Sequence, residues 1–253
     1  MKVDILTLFP ELVETTLRTS ITGRAEEAGI WSLTTWDIRA FAGNRYGRVD
    51  DTLYGGGRGM LMQCEPIWQS WQAAVKAAQA QGIQSSRILV AGPKGRVFDQ
   101  TMAKEFAQEE HLVFLCGHYE GIDQRVLDEL GAEEVSLGDF VLTGGELAVC
   151  AMIDATLRMV TGVLPGDDAF QDESHYDGLL EARQYTKPAE WKGREVPEVL
   201  LSGHHAKIAA ARRRDQLRET LLKRPDLIDQ ASDLSDEDRQ MLAEIALDLY
   251  GQA

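Results

Sequence analysis

Three glycine-rich strings stand where a binding site would need them. Gly92-Pro93-Lys94-Gly95 follows the apolar run 87–91, and Gly117-His118-Tyr119-Glu120-Gly121 follows the run 112–116. Gly138-Asp139 follows residues 134–137, with Gly144-Gly145-Glu146 shortly after. Glycine lets a ligand approach main-chain N–H and C=O groups closely. A single such string at a strand end is as readily a plain turn; three of them point to a site. A GxGxxG string after a strand is absent, and so is GxxxxGK[ST], which argues against a phosphate cradle. Apolar walls with main-chain hydrogen bonds suit an adenine and a thioether better.

Two charged segments offer further chemistry. Residues 162–185 hold Asp167, Asp168, Asp172, Glu173, Asp177 and Glu181; a carboxylate can serve as a general base, although loop acids are usually just solvated. Residues 203–224 carry seven Lys and Arg side chains against two acids, a local balance of +5. That contrasts with a chain of net charge −15, which cannot grip nucleic acid over its whole surface. A local patch must do so, although a charge run is more commonly a solvated helix face. Arg158 stands four residues after Asp154, the spacing of an ordinary helix ion pair.

The elements that position these residues follow from the pattern. Apolar strands are expected at 3–9, 31–38, 87–91, 112–116, 134–137 and 140–143. Helices are expected at 66–81, 100–108, 122–130 and 146–160, with another near Pro10. Near-continuous apolar strands alternating with helices predict a parallel sheet covered on both faces. In such a sheet, ligands bind beyond the carboxyl ends of the strands, where the glycine strings lie. Residues 163–185 read as a linker. Residues 186–253 read as a small helical domain, with helices over 204–222, 225–230 and 235–250 and Ser235 as an N-cap facing Asp238. The 253 residues suffice for two domains. No run approaches the roughly 18 apolar residues of a membrane span. The N-terminus lacks signal-peptide character, and three widely spaced cysteines make no disulfide framework, so a cytoplasmic protein is expected.

Longer strings carry a resemblance. Tyr54-Gly55-Gly56-Gly57-Arg58-Gly59-Met60-Leu61-Met62, Gly117-His118-Tyr119-Glu120-Gly121-Ile122-Asp123 and the stretch from Ser136-Leu137-Gly138-Asp139 to Gly144-Gly145-Glu146 resemble bacterial tRNA (guanine-N1)-methyltransferases of the TrmD family. Further matches are Asp177-Gly178-Leu179-Leu180-Glu181, Tyr185-Thr186-Lys187-Pro188, the stretch from Val196 through Ser202-Gly203-His204-His205, and Arg224-Pro225-Asp226-Leu227. These run in family order over nearly the whole chain.

The resemblance implies a SPOUT-class α/β domain at 1–162 with a deep trefoil knot in its parallel sheet. It implies a homodimer, S-adenosyl-L-methionine as methyl donor, and methylation of N1 of the guanosine at tRNA position 37. Carried over, the donor-binding positions are Val90, Ala91, Gly92 and Pro93; Gly117, Tyr119 and Glu120; and Leu137, Gly138, Asp139, Phe140, Val141, Leu142, Gly144 and Gly145. Guanine N1 is protonated at neutral pH, so the chemistry calls for a base and for a cation near O6. The resemblance gives these roles to Glu173 and Arg158. This chain reads Asp172-Glu173-Ser174-His175 where the family carries Glu-Asp-Ser-Phe. That leaves Asp172, and less directly Asp177, as alternative bases. The positions expected to touch tRNA are Ser202, His204, His205, Lys207, Arg212 and Arg214. The resemblance also implies a divalent ion in turnover, but the sequence identifies no ligands for it, since His204 and His205 lack a clear third partner. A non-catalytic RNA-binding module and a knotted ribose 2′-hydroxyl methyltransferase are the rival readings.

Overall fold

The computed structural model describes residues 1–56, 58–166, 170, 173–231 and 234–251. The chain divides into two compact units, Met1–Asp167 and Asp168–Ala253. In chain order the first contains β1 (Lys2–Thr7), α1 (Pro10–Leu17), α2 (Ser20–Glu27), β2 (Ser32–Asp37), a 3₁₀ turn (Ile38–Phe41), β3 (Asp50–Thr52), β4 (Met60–Met62), α3 (Cys64–Gln79), β5 (Arg87–Val97), α4 (Gln100–Phe106), β6 (His111–Cys116), α5 (Gln124–Leu130), β7 (Glu133–Ser136) and α6 (Glu146–Leu157).

Five strands form one parallel sheet in the order β2-β1-β6-β5-β7. Two interior strands, β1 and β6, are buried at every residue, which is why they read as largely apolar runs. Side chains of β6 alternate between faces. Leu112, Phe114 and Cys116 join a core with Leu17 of α1, Phe106 of α4 and Ile153 of α6. Val113 and Leu115 join the opposite core with Ile67 and Ala74 of α3 and Val126 of α5. The buried polar side chains of β1 are satisfied: Asp4 lies 2.8 Å from His111 Nε2 and accepts from Trp36 Nε1 at 3.2 Å.

Two of the expected strands differ in the structure. Strand β5 runs six residues beyond Ala91, to Val97. Its register against β7 jumps, because Ala91 and Arg96 both pair with Val135 and residues 92–95 bulge out. Gly95 permits this, since a Cβ there would run into the Glu134 main chain. Residues 140–143, expected as a strand, form no ladder. Phe140, Val141 and Leu142 are 54 %, 84 % and 39 % exposed, so their apolar character does not report burial in the sheet.

The second unit holds a β8–β9 hairpin (Glu190–Trp191 and Arg194–Glu195), α7 (Glu198–Leu201), α8 (His205–Lys223), α9 (Pro225–Gln230) and α10 (Asp236–Tyr250). Its small core is Leu179, Leu217 and Ile245. Residues before the hairpin pack into this unit. Leu180 N donates to Thr220 Oγ1 at 3.0 Å, and Arg183 Nε donates to Asp215 at 3.0 Å. The expected cap of α10 is present as a reciprocal box, with Asp238 N donating to Ser235 Oγ at 3.1 Å and Ser235 N to Asp238 Oδ2 at 3.2 Å.

Candidate active site

A cavity of about 330 Å³ opens at the carboxyl ends of β5, β6 and β7, within the size range of small-molecule sites. Three chain segments build it. The end of β5 and its bulge contribute Val90, Ala91, Gly92 and Pro93; the loop after β6 contributes Gly117, Tyr119 and Glu120; the segment after β7 contributes Leu137, Gly138, Phe140, Val141, Leu142, Gly144 and Gly145. Every donor-binding position read from the sequence therefore lines this one cavity except Asp139. The two later segments are stitched together, with Gly145 N donating to Gly117 O at 3.0 Å and His118 bridging Gly144. Gly145 is required by this approach, because a Cβ there would lie 2.9 Å from Cys116 Cα and 3.0 Å from Gly117 N.

His118, in the glycine string read from the sequence, also lines the cavity, while Lys94, Ile122 and Glu134 line it without having been singled out. His118 Nε2 lies 2.7 Å from Glu146 Oε2, and Glu146 Oε1 accepts from Thr7 Oγ1 at 2.6 Å. Glu146 is 3 % exposed at the start of α6. It sits in the string Gly144-Gly145-Glu146, but nothing in its local sequence marks it as buried. Tyr119 holds a left-handed backbone at φ 59°, a conformation that costs a non-glycine residue about 1–3 kcal/mol and collects at functional loops. Burial pushes the Cys116 thiol well up, and the Cys150 thiol up to about 11. Both stay protonated at neutral pH, so neither serves as a thiolate nucleophile.

Of the described residues expected to act on the base, Arg158 alone shares the cavity's unit. Arg158 caps the far end of α6, half-buried, and does not line the cavity. The helix from Glu146 to Arg158 spans about 18 Å. Glu173 belongs to the second unit, half-buried in a turn where its N donates to Phe170 O at 3.2 Å. Asp177 is occupied by Arg213 at 3.2 Å and by Leu179 N at 3.1 Å. Asp172 lies outside the described residues.

The cationic stretch is less positive in space than in sequence. Asp238 binds Arg213 at 2.8 Å through both oxygens. Arg214 meets Glu244 at 2.8 Å and Asp248 at 3.2 Å. Lys223 meets Glu219 at 2.6 Å, Arg218 meets Glu219 at 3.6 Å and Arg224 meets Asp226 at 2.6 Å. The neutralising acids of α10 are distant in sequence, so a local charge balance misses them. Lys207 and Arg212 are exposed and have no acid partner among the described residues. Ser202 Oγ accepts from His204 N at 3.2 Å, His204 caps α8 through Lys207 N, and His205 opens that helix. Among the described residues no group of three or more His, Cys, Asp or Glu is placed to hold a metal ion, and no helix is long and apolar enough to cross a membrane.

The family model "tRNA (Guanine-1)-methyltransferase TrmD" matches residues 1–230. A tRNA (guanine-N(1)-)-methyltransferase of Pediococcus pentosaceus is 49 % identical over 246 residues, covering 97 % of this chain and 98 % of the relative. One of Exiguobacterium sibiricum is 50 % identical over 246 residues, at the same coverage of 97 % and 98 %. One of Ruminiclostridium cellulolyticum is 47 % identical over 227 residues, covering 90 % of this chain and 96 % of that one. With the glycine strings gathered around one cavity and the match running over both units, the chain belongs to the TrmD family of tRNA (guanine-N1)-methyltransferases.

Proposed function

We propose that this protein transfers a methyl group from S-adenosyl-L-methionine to N1 of the guanosine at position 37 of tRNA. The observation that carries the reading is the cavity at the carboxyl ends of β5, β6 and β7, in a chain of this family. Its walls fit the donor. Val90, Leu137, Leu142 and Ile122 offer apolar surface to an adenine, and the glycine segments offer main-chain donors and acceptors. Glu120 and Glu134 place carboxylates on the cavity wall, suited to ribose hydroxyls and to a cationic sulfonium.

The donor supplies a methyl carbon on a positively charged sulfur. Glu173 takes the N1 proton of guanine as general base. The freed N1 lone pair forms the new N–C bond, and the C–S bond breaks with its electron pair going to sulfur, leaving a neutral thioether. Arg158 stabilises the negative charge that builds on O6. Its planar fork serves this better than a lysine would.

The reading includes a homodimer. Arg158 stands about 18 Å along α6 from the cavity end of that helix, so a second protomer supplies the Arg158 that serves each cavity. The placement of β6 between β1 and β5, with residues 144–145 returning against Cys116 and Gly117, supports the trefoil knot. The reading also takes 1–162 as the donor-binding domain, 163–185 as the linker and 186–253 as a tRNA-binding domain. Ser202, His204, His205, Lys207, Arg212 and Arg214 contact the tRNA, in the cytoplasm, where tRNA is processed. The divalent ion carried by the resemblance is given no protein ligands.

The test is methylation of paired transcripts that differ only at residue 37. Incorporation into a transcript with guanosine at that position, and its loss when adenosine replaces it, is expected. Equal incorporation into both would overturn the position. Separately, failure of the protein to retain the donor in equilibrium dialysis would overturn the cavity's role.

A further inference from the structure

A cluster of arginines and exposed tyrosines in the first unit takes no part in the chemistry above. Residues 38–49 contain Arg39, Arg45 and Arg48 and no acid, and residues 53–64 contain Arg58 and no acid. The first of these segments ends in a built loop. Asn44 Oδ1 accepts from Tyr46 N at 3.1 Å and from Arg48 N at 3.0 Å, and Asn44 Nδ2 donates to Arg48 O at 2.7 Å. This turn displays Tyr46, 76 % exposed, with the Arg45 guanidinium 4.5 Å over its ring. At the tip of the β3–β4 hairpin Tyr54 is 98 % exposed.

Arg48 is held by Asp51 at 3.5 Å. Arg45 and Arg58 pair with no carboxylate among the described residues. That sets them apart from the arginines of α8 that acids of α10 neutralise. The three residues of β3 separate the loop from the tip by about 10 Å. The strip runs up to the cavity wall, because β4 is bonded to the loop after β6. Glu120 N donates to Met60 O at 3.0 Å, Met62 N to Gly121 O at 3.0 Å and Asp123 N to Met62 O at 3.1 Å.

Exposed aromatic faces flanked by unpaired guanidinium groups suit unpaired nucleotides. Bases stack on the rings while arginines meet the phosphates. A protein partner would leave Arg45 and Arg58 buried without acids unless it brought its own. We infer that Tyr46 and Tyr54, with Arg45 and Arg58, form a contact strip for unpaired nucleotides of the tRNA beside the cavity. The inference rests on the tRNA substrate proposed above and adds a surface to it.

Full-length variants and an unmodified tRNA transcript test it, with binding measured at several salt concentrations. Tyr54→Ala is expected to weaken tRNA binding on the order of tenfold, and Tyr54→Phe by less than about twofold, because the stacking face remains. The double change Arg45→Ala with Arg58→Ala is expected to lower the slope of log K against log salt by about 1.4. Donor affinity, measured by calorimetry, is expected to stay at the wild-type value in all three variants. Wild-type tRNA affinity and salt slope throughout would overturn the strip. So would a change in sedimentation coefficient, which would make it a contact between copies of this chain. A wild-type protein that bound no tRNA at all would overturn the proposed function together with the strip.

Discussion

Glu146 Oε2 lies 2.7 Å from His118 Nε2, and this pair ties the start of α6 to the cavity loop that follows β6. Thr7 Oγ1 donates to the other oxygen at 2.6 Å and accepts from Phe9 N at 2.9 Å, so the end of β1 joins the same network. Glu146→Ala leaves the buried Thr7 hydroxyl and the half-buried His118 ring unmatched and is expected to cost about 2 kcal/mol of stability. Glu146→Gln can still accept from Thr7 and is expected to cost less. Urea unfolding measures the cost, and calorimetry is expected to show weaker donor binding by the alanine variant. Equal stability of wild type and both variants would contradict the network's role.

Gly145 allows two cavity segments to touch. Its substitution by alanine brings a Cβ to 2.9 Å from Cys116 Cα, closer than packed carbons tolerate. Overpacking of this kind costs about 1–3 kcal/mol. The expected outcome is a lower urea midpoint together with weaker donor binding. An unchanged midpoint would show that the segments can part freely.

In the second unit, the Arg213 guanidinium beside Asp238 holds its carboxyl down to about 2, against about 3.9 in an unfolded chain. A depressed carboxylate contributes stability that is complete above about pH 4 and is lost as pH falls through about 2. Arg213→Met is therefore expected to lose about 2 kcal/mol at pH 7 and little at pH 2. Urea titrations of the full chain at the two pH values, followed by circular dichroism, check this. An equal loss at both would mean that packing, not charge, holds Arg213.

The parts of this molecule that were legible in its sequence are those encoded locally. The apolar runs of β1 and β6 are buried on both faces and announce themselves. The glycine strings at strand ends led to the cavity because parallel sheets bind ligands there. Ser235 and Asp238 form their capping box within four residues. What stayed hidden depends on distant partners. The apolar string Phe140-Val141-Leu142 has the composition of a strand but no neighbour to pair with, and it forms part of the cavity wall instead. The charge of 203–224 is cancelled by α10, whose Asp238, Glu244 and Asp248 lie beyond any local window. The bulge of β5 depends on the approach of Glu134, some 40 residues onward, and the burial of Glu146 on Thr7, 139 residues back.

The separation of Arg158 from its own cavity makes a prediction about pairs of inactive chains. Arg158→Ala removes the cation. Leu142→Trp, at a cavity position 39 % exposed, fills the cavity. Each variant alone is expected to lose at least about a hundredfold in turnover, the scale of one lost transition-state contact. In the proposed homodimer, coexpression is expected to yield mixed dimers in which one cavity is intact and is served by an intact Arg158 from the other chain. Tritium incorporation into tRNA is then expected to recover to about a quarter of the wild-type value, following random pairing and one good site in each mixed dimer. No recovery would place both groups in one chain.

The most direct test of the account is the chemical identity of the product. Wild-type protein is incubated with a tRNA transcript and donor labelled in its methyl group, and the digested nucleosides are resolved by mass spectrometry. The account predicts label in N1-methylguanosine, and its loss with Glu173→Gln while donor binding persists. Label on a ribose 2′-oxygen, or undiminished N1-methylguanosine from Glu173→Gln, would contradict it.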